Sequence, residues 1–210
     1  MYKAVFFDFD GVIINSEPLI RYAFSESYKM HFGKDAIPPV EKYLSYCGDS
    51  FNRIMDRLGL PHSLYDKFRE ISIDNMHMIK TFPCIVDILK VLKNRQVKLS
   101  LVTGKESSRT IEILKKFDLD KYFDLLVCSD MVTSPKPNPE SIFKSINYFS
   151  ISNSECLMVG DSISDIVSAQ RADVKTIAVT WGVGNYKLFE EIGADYIIHN
   201  PEDLLGIILN

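Results

Sequence analysis

The sequence predicts an α/β protein: a Rossmann-like core on a mainly parallel sheet, interrupted by an inserted all-helical cap domain. Three observations carry that expectation. Short apolar, β-rich runs recur at Ala4–Phe7, Leu99–Val102, Leu125–Cys128, Leu157–Val159, Thr176–Val179 and Tyr196–Ile198. Helical patterns lie between most of them, with Ile111, Leu114 and Phe117 on one face and Ile142, Phe143 and Ile146 on another. The gap between the first and second runs is far longer than a single crossover needs. Strands alternating with helices pair in parallel, and the helices cover both faces of the sheet.

Taken in order, Ala4–Phe7 is the first core strand and runs straight into Asp8 and Asp10. From about Asn15 to Lys80 no comparable β-rich run occurs. Leu19, Tyr22, Ala23 and Ser27 keep helical spacing, as do Phe51, Ile54, Met55 and Leu58. Breakers separate these patterns at Pro38-Pro39, Gly48 and Gly59-Leu60-Pro61. Residues 15–81 are therefore expected to form the cap, and residues 1–14 with 82–210 the α/β core. Phe82-Pro83 marks the return, and Asn15–Pro18 with Lys80–Pro83 are the natural hinges. The remaining runs supply the other strands.

Composition narrows the function. The 210 residues are 46% hydrophobic and 25% charged, ordinary for a globular chain. Net charge is -4 and no Lys/Arg-rich run stands out, so no nucleic-acid partner is expected. No apolar run approaches the ~20 residues that span a bilayer, and Asp8 and Asp10 break the opening stretch too early for a signal peptide. A cytoplasmic protein with no membrane partner is expected. Cys47, Cys84, Cys128 and Cys156 form no C-x-x-C pair and read as reduced thiols. His31, His62, His77 and His199 match no zinc spacing.

In an open parallel sheet, the loops at the carboxyl ends of the strands converge on one crevice. Four such loops here are polar. The first reads Asp8-Phe9-Asp10-Gly11 and sets two carboxylates on one side of an extended chain, where they repel unless a cation or proton intervenes. Its bland reading, a solvated acidic turn, fits poorly with the apolar flanks. The second, Thr103-Gly104-Lys105, precedes a helix expected near Ser107-Ser108 and offers a phosphate seat, or simply a turn. In the third, Pro135-Lys136-Pro137-Asn138-Pro139, the prolines hold the chain extended around Lys136, and Asn138 is placed to cap the next helix. The fourth, Gly160-Asp161-Ser162-Ile163-Ser164-Asp165, puts Asp161 and Asp165 one helical turn apart if a helix starts there. They are then either macrodipole-favouring acids or an arm of a metal site. Jointly the loops gather four carboxylates, a lysine and a hydroxyl at one sheet edge, a set suited to Mg²⁺ and phosphoryl transfer.

These motifs resemble those of the haloacid dehalogenase superfamily of phosphohydrolases, in order and across essentially the whole chain: Asp8-x-Asp10-Gly11, Thr103, Lys136-Pro137 and Gly160-Asp161-x-x-x-Asp165. Within it the chain is similar to the branch of phosphoglycolate phosphatases and β-phosphoglucomutases, whose cap occupies the place of the helical insert. The resemblance implies that Asp8 is the nucleophile and Asp10 the general acid and base. It implies Mg²⁺ held by Asp8, the Asp10 carbonyl and Asp161, with Asp165 in support, and phosphoryl oxygens held by Thr103, Gly104 and Lys136. Asp10 excludes the dehalogenases, which lack it, and the phosphonoacetaldehyde-cleaving members, which replace it. The chain departs where many relatives carry Asn: Gly104 removes a side-chain amide and Lys105 adds a cation near the substrate.

A small phosphorylated metabolite is the expected substrate and a monomer or weak homodimer the expected state. The resemblance leaves two rivals open, a phosphosugar mutase and a non-catalytic binding protein. In the cap, Arg53 just beyond the Gly48 turn is expected to contact substrate, and Arg57 to lie on a solvated helix face. The cap aromatics and Trp181 are assigned packing roles.

Overall fold

A computed structural model describes residues 1–210. The chain runs β1 (Ala4–Phe7), β2 (Ile14–Asn15), α1 (Glu17–Phe32), α2 (Val40–Leu44), α3 (Phe51–Leu58), α4 (Leu64–Asp74) and β3 (Lys80–Thr81). It continues α5 (Ile85–Asn94), β4 (Lys98–Val102), α6 (Ser107–Lys116), β5 (Leu125–Val127), α7 (Glu140–Phe149) and β6 (Cys156–Gly160). It closes with α8 (Ile163–Gln170), β7 (Lys175–Val179), α9 (Tyr186–Glu191), β8 (Tyr196–Ile198) and α10 (Asp203–Ile208).

Six strands make one parallel sheet in the order β5-β4-β1-β6-β7-β8. β1 is central, so the chain winds outward to one side through β4 and β5, then crosses to the other side at β6. That reversal puts the crevice of a doubly wound sheet at the carboxyl end of β1. Alternation along β1 splits its residues between two cores. Val5 and Phe7 face α5, α6 and α10, with Leu89, Leu114 and Leu204 among their companions. Ala4 and Phe6 face α7 and α8, with Ile142 and Ala169.

The helical faces differ by a residue from the expected ones. On α6 the buried residues are Arg109, Thr110, Ile113 and Leu114, while Ile111 is 38% exposed. On α7 Ile142 and Ile146 are buried and Phe143 is 41% exposed. In both helices the core-facing stripe is completed by small polar residues, Thr110, Ser141 and Ser145, which an apolar periodicity overlooks. Asn138 is not the N-cap of α7, a position that Pro139 takes; it lies one residue earlier, and its side-chain oxygen accepts from the Glu140 N–H at 3.0 Å. The Lys136–Pro137 peptide is cis, where the chain was expected simply to run extended.

Helices α1–α4 carry their own apolar cluster, which includes Phe24, Tyr43, Ile54, Met55 and Phe68. Phe24 stacks on Tyr43 with ring centroids 4.4 Å apart. Not every cap aromatic packs inside: Tyr22 and Phe32 are exposed. The helical segment joins the sheet through the two-residue antiparallel pair β2–β3, with Ile14 opposite Thr81 and Asn15 opposite Lys80. Trp181 packs as expected, edge-on to Phe82 and donating its indole N–H to the Val12 carbonyl at 3.3 Å. No helix is long and apolar enough to cross a membrane.

Because Phe24 is fully buried against Tyr43, Phe24→Ala is expected to lower unfolding stability by about 3–5 kcal/mol, read as a fall in the urea midpoint. A shift below about 1 kcal/mol would mean that the cluster collapses around the missing ring.

Candidate active site

Register explains why the acids meet. Phe7 of β1 lies level with Leu101 of β4 and Val159 of β6, so Asp8, the first residue past β1, stands beside Val102 and Gly160, the last residues of β4 and β6. Asp8 still donates its backbone N–H to the Val159 carbonyl at 2.9 Å. Asp161 follows on β6 and Thr103 on β4.

Lys136 reaches into this cluster from the loop before α7. Its ammonium donates to Asp8 Oδ1 at 2.9 Å, to Asp165 Oδ1 at 2.5 Å and to the Val102 carbonyl at 3.1 Å. Lys136 and Asp8 are each 2% exposed and Asp165 is fully buried. Burial opposes the lysine charge, but Asp165 and Asp8 outweigh it and hold the ammonium above its ordinary range.

Asp165 is not a helical neighbour of Asp161. Asp161 lies before the helix, Ser162 is the N-cap and Asp165 the third helical residue. Ser162 and Asp165 form a reciprocal capping box: the serine N–H and hydroxyl donate to Asp165 Oδ2 at 3.1 and 2.6 Å. Both Asp165 oxygens are thus engaged, one by Lys136 and one by Ser162. The carboxylate orients the lysine, and Asp8 and Asp161 are the acids of the cluster that could ligate a cation directly. The S-x-x-D spacing was the sequence signal for this box.

Asp161 is buried where a side chain on Gly11 (φ +80°) would collide with its carboxylate, and it accepts from the Val183 N–H at 2.8 Å. Asp10 accepts from Ser16 Oγ at 2.5 Å and pairs with Lys105 Nζ at 3.1 Å. Ser16 occupies the N-cap of α1 but spends its hydroxyl on Asp10, a role the sequence disguised as an ordinary cap. Burial alone would raise Asp10, but Lys105 and Ser16 outweigh it and hold the carboxyl below its ordinary range. Burial likewise pulls Lys105 down, against the attraction of Asp10.

A cation fits the rest of the site. Four carboxylates (Asp8, Asp10, Asp161, Asp165) meet two ammonium groups (Lys105, Lys136), so these six groups carry a net charge of about -2, and Asp161 is the carboxylate with no cationic contact. One oxygen from each of Asp8, Asp161 and Asp165 lies within 4.8 Å of the others. Burial pushes Asp8 up to about 7 against the pull of Lys136. Burial, then the charges of Asp8 and Asp165, hold Asp161 well above the ordinary carboxylate range. Hard oxygen donors with a charge deficit of two are the donor set of a divalent cation such as Mg²⁺.

Thr103, Gly104 and Lys105 line a cavity of ≈ 60 Å³ with Asp8 and Asp10, roofed by Tyr43, Phe51 and Phe68 of the helical segment. A Cβ on Gly104 would stand 2.6 Å from the Gly48 carbonyl and 2.8 Å from that of Asp49. Gly104 therefore serves close approach: the loop at Gly48 rests directly on it, where an Asn side chain would not fit.

Arg53 is not in the cavity wall. It donates to the Lys136 carbonyl at 3.3 Å and stands 3.8 Å from Asp49, bridging α3 to the lysine loop. Arg57 is not a free surface group either: it pairs with Asp49 at 3.1 Å and lies over the Tyr46 ring. The buried carboxylate of Asp49 redirects both. Arg109, absent from the sequence reading, does line the cavity. Its buried position on the polar-completed face of α6 was the available signal.

The sequence matches the family model described as haloacid dehalogenase-like hydrolase over residues 5–179. Pyrophosphatase PpaX of Halalkalibacterium halodurans is 31% identical, the match covering 98% of this chain and 96% of that protein. A solved structure described as a predicted phosphatase from Clostridium acetobutylicum has a TM-score of 0.86 at 24% identity, covering 100% of this chain and 99% of that one. Another, a predicted phosphoglycolate phosphatase from Haemophilus somnus, has a TM-score of 0.83 at 21% identity, covering 98% and 97%. Both structures show the same fold.

Gly104→Asn is expected to lift the Gly48 loop, seen as faster amide exchange across residues 46–51 with β1 unchanged. Unaltered exchange would show that the loop does not depend on the space at Gly104.

Proposed function

The chain belongs to the haloacid dehalogenase-like hydrolases, and on that premise we propose that it is a Mg²⁺-dependent phosphatase of a compact phosphorylated metabolite, with Asp8 as nucleophile. The observation that carries this reading is the Asp8 carboxylate at the end of the central strand, held by Lys136 and facing a cavity that also contains Asp10.

In the first step an Asp8 oxygen attacks phosphorus. The new Asp8 O–P bond forms as the P–O bond to the leaving group breaks, and Asp10 donates a proton to the departing oxygen. In the second, Asp10 takes a proton from water, which attacks phosphorus and releases Asp8 and inorganic phosphate. The surroundings of Asp10 suit both duties. At rest Lys105 and Ser16 keep it ionised. An anionic phosphoryl group draws Lys105 towards itself and repels the Asp10 charge, which moves the carboxyl towards protonation. Thr103 and the amide of Gly104 hold phosphoryl oxygens together with Lys136. Asp8, Asp161 and the Asp10 carbonyl would hold Mg²⁺, which supplies charge neutralisation of the phosphoryl oxygens.

Space supports a small leaving group. The cavity that Asp8 and Asp10 share, ≈ 60 Å³, is far below the roughly 300–1,000 Å³ typical of drug-sized ligands and favours a compact leaving group there, while a wider cleft of ≈ 440 Å³ lies on the far side of Asp49 beside Asp161. The same limit weighs against a mutase, which must reorient a sugar bearing two phosphates. Inorganic pyrophosphate, the substrate in the name of the H. halodurans relative, and phosphoglycolate-sized esters fit better. Residues 15–81 act as the cap that excludes water. The four free cysteines suit a reducing, cytoplasmic setting.

Phosphate release from pyrophosphate, phosphoglycolate, sugar phosphates and nucleoside monophosphates tests this reading. Turnover of a compact substrate is expected in Mg²⁺, with none in EDTA or in Asp8→Asn. Activity that survives Asp8→Asn would overturn it. Mg²⁺ is also expected to raise the thermal midpoint, more at about pH 8 than at about pH 5, because the ligands must be ionised to bind. Asp161→Asn should remove most of that rise.

A further inference from the structure

One side chain of the cavity has no partner. Arg109, on α6 just past the Thr103-Gly104-Lys105 loop, is only 6% exposed. Its guanidinium makes no hydrogen bond and no ion pair, and it lies over the Phe68 ring, whose centroid is 5.2 Å away. The neighbouring charges are already engaged. Lys105 pairs with Asp10, and Glu106 accepts from the Tyr65 hydroxyl and lies 3.9 Å from Arg69. The Asp49 carboxylate is 3.1 Å from Arg57.

A guanidinium that is nearly buried, faces a cavity and has no acceptor in the protein keeps its five donors free for a group that enters that cavity. Arg109 opens onto the cavity that Asp8 and Asp10 share. The site is thus short of positive charge at the Asp8–Asp161 end and carries a spare positive charge at the α6 end. A substrate that matches has its scissile phosphoryl group at the first end and a second anion at the other.

We propose that Arg109 is a specificity residue that binds a second anionic group carried by the leaving group, a phosphate or a carboxylate, as a planar fork. This rests on the phosphatase reading for its choice of substrates but not for its binding test. The helical segment shares the task, because Phe68 of α4 packs against the guanidinium.

Two measurements test it. In the first, binding of methylenediphosphonate and of orthophosphate is compared by calorimetry in Mg²⁺ for wild type, Arg109→Gln and Arg109→Lys. Arg109→Gln is expected to weaken the diphosphonate about 10- to 100-fold and orthophosphate much less, with Arg109→Lys between wild type and Gln. In the second, kcat/KM for 2-phosphoglycolate is divided by that for 2-hydroxyethyl phosphate, which replaces the carboxylate by an alcohol. That ratio should fall by a similar factor in Arg109→Gln if a carboxylate is accepted, and stay unchanged if only a second phosphate is. Equal weakening of diphosphonate and orthophosphate, or no weakening of either, would overturn the proposal. Arg109-dependent diphosphonate binding by a protein that hydrolyses nothing would sink the phosphatase reading and leave this inference standing.

Discussion

The buried ammonium of Lys136 is the constraint on which the rest depends. It touches one oxygen from each of three elements: Asp8 beyond β1, Val102 at the end of β4 and Asp165 in the first turn of α8. None of these groups meets bulk water, and removing one partner from such a buried set typically destabilises by about 3–5 kcal/mol. The central strand, its neighbour and the helix after β6 must therefore arrive together. The same contacts point one Asp8 oxygen away from the cavity, towards the lysine. Folding and the positioning of Asp8 are one event here, and the capping box between Ser162 and Asp165 extends it by locking the second carboxylate.

Charge organises the space above that lysine. Pairing uses Lys105 on Asp10 and Lys136 on Asp8 and Asp165, so the floor beside Asp161 keeps an excess of negative charge while the α6 wall keeps the free guanidinium of Arg109. Aromatic rings of the helical insert close the top, where apolar surroundings strengthen every interaction beneath them. Closure is possible because two glycines meet: Gly48 carries the loop over at φ +99°, and Gly104 has no side chain to hold it off. Glycine at 104 thus sets how near the helical segment comes to the sheet edge.

Much of this was legible in the sequence, and the boundary is physical. The six strands of the main sheet are short apolar runs that declare themselves locally, as do the polar loops that follow them. Asp8, Asp10, Thr103, Lys136 and Asp161 all emerge at one edge because parallel topology aligns the carboxyl ends of strands. What escaped depended on contacts between distant segments. The two-residue pair β2–β3 is too short for any periodicity. Arg53 and Arg57 turn to Asp49 rather than to a ligand or to solvent, which no local pattern records. Arg109 reads as an exposed helix residue until the cap is laid over it. Asp161 and Asp165 illustrate a right grouping for a wrong reason: their approach comes from a strand end and a capping box, and not from helical spacing.

The central claim is that Asp8 carries the phosphoryl group between the two steps. Rapid acid quench during turnover of a ³²P-labelled substrate, followed by peptide mapping, tests it most directly. Acid-stable, hydroxylamine-sensitive label on the Met1–Lys29 region at Asp8, lost on the time scale of phosphate release, is the expected result. Product formed at full rate with no label on the protein at any time would contradict it, and would point to direct attack of water on the substrate.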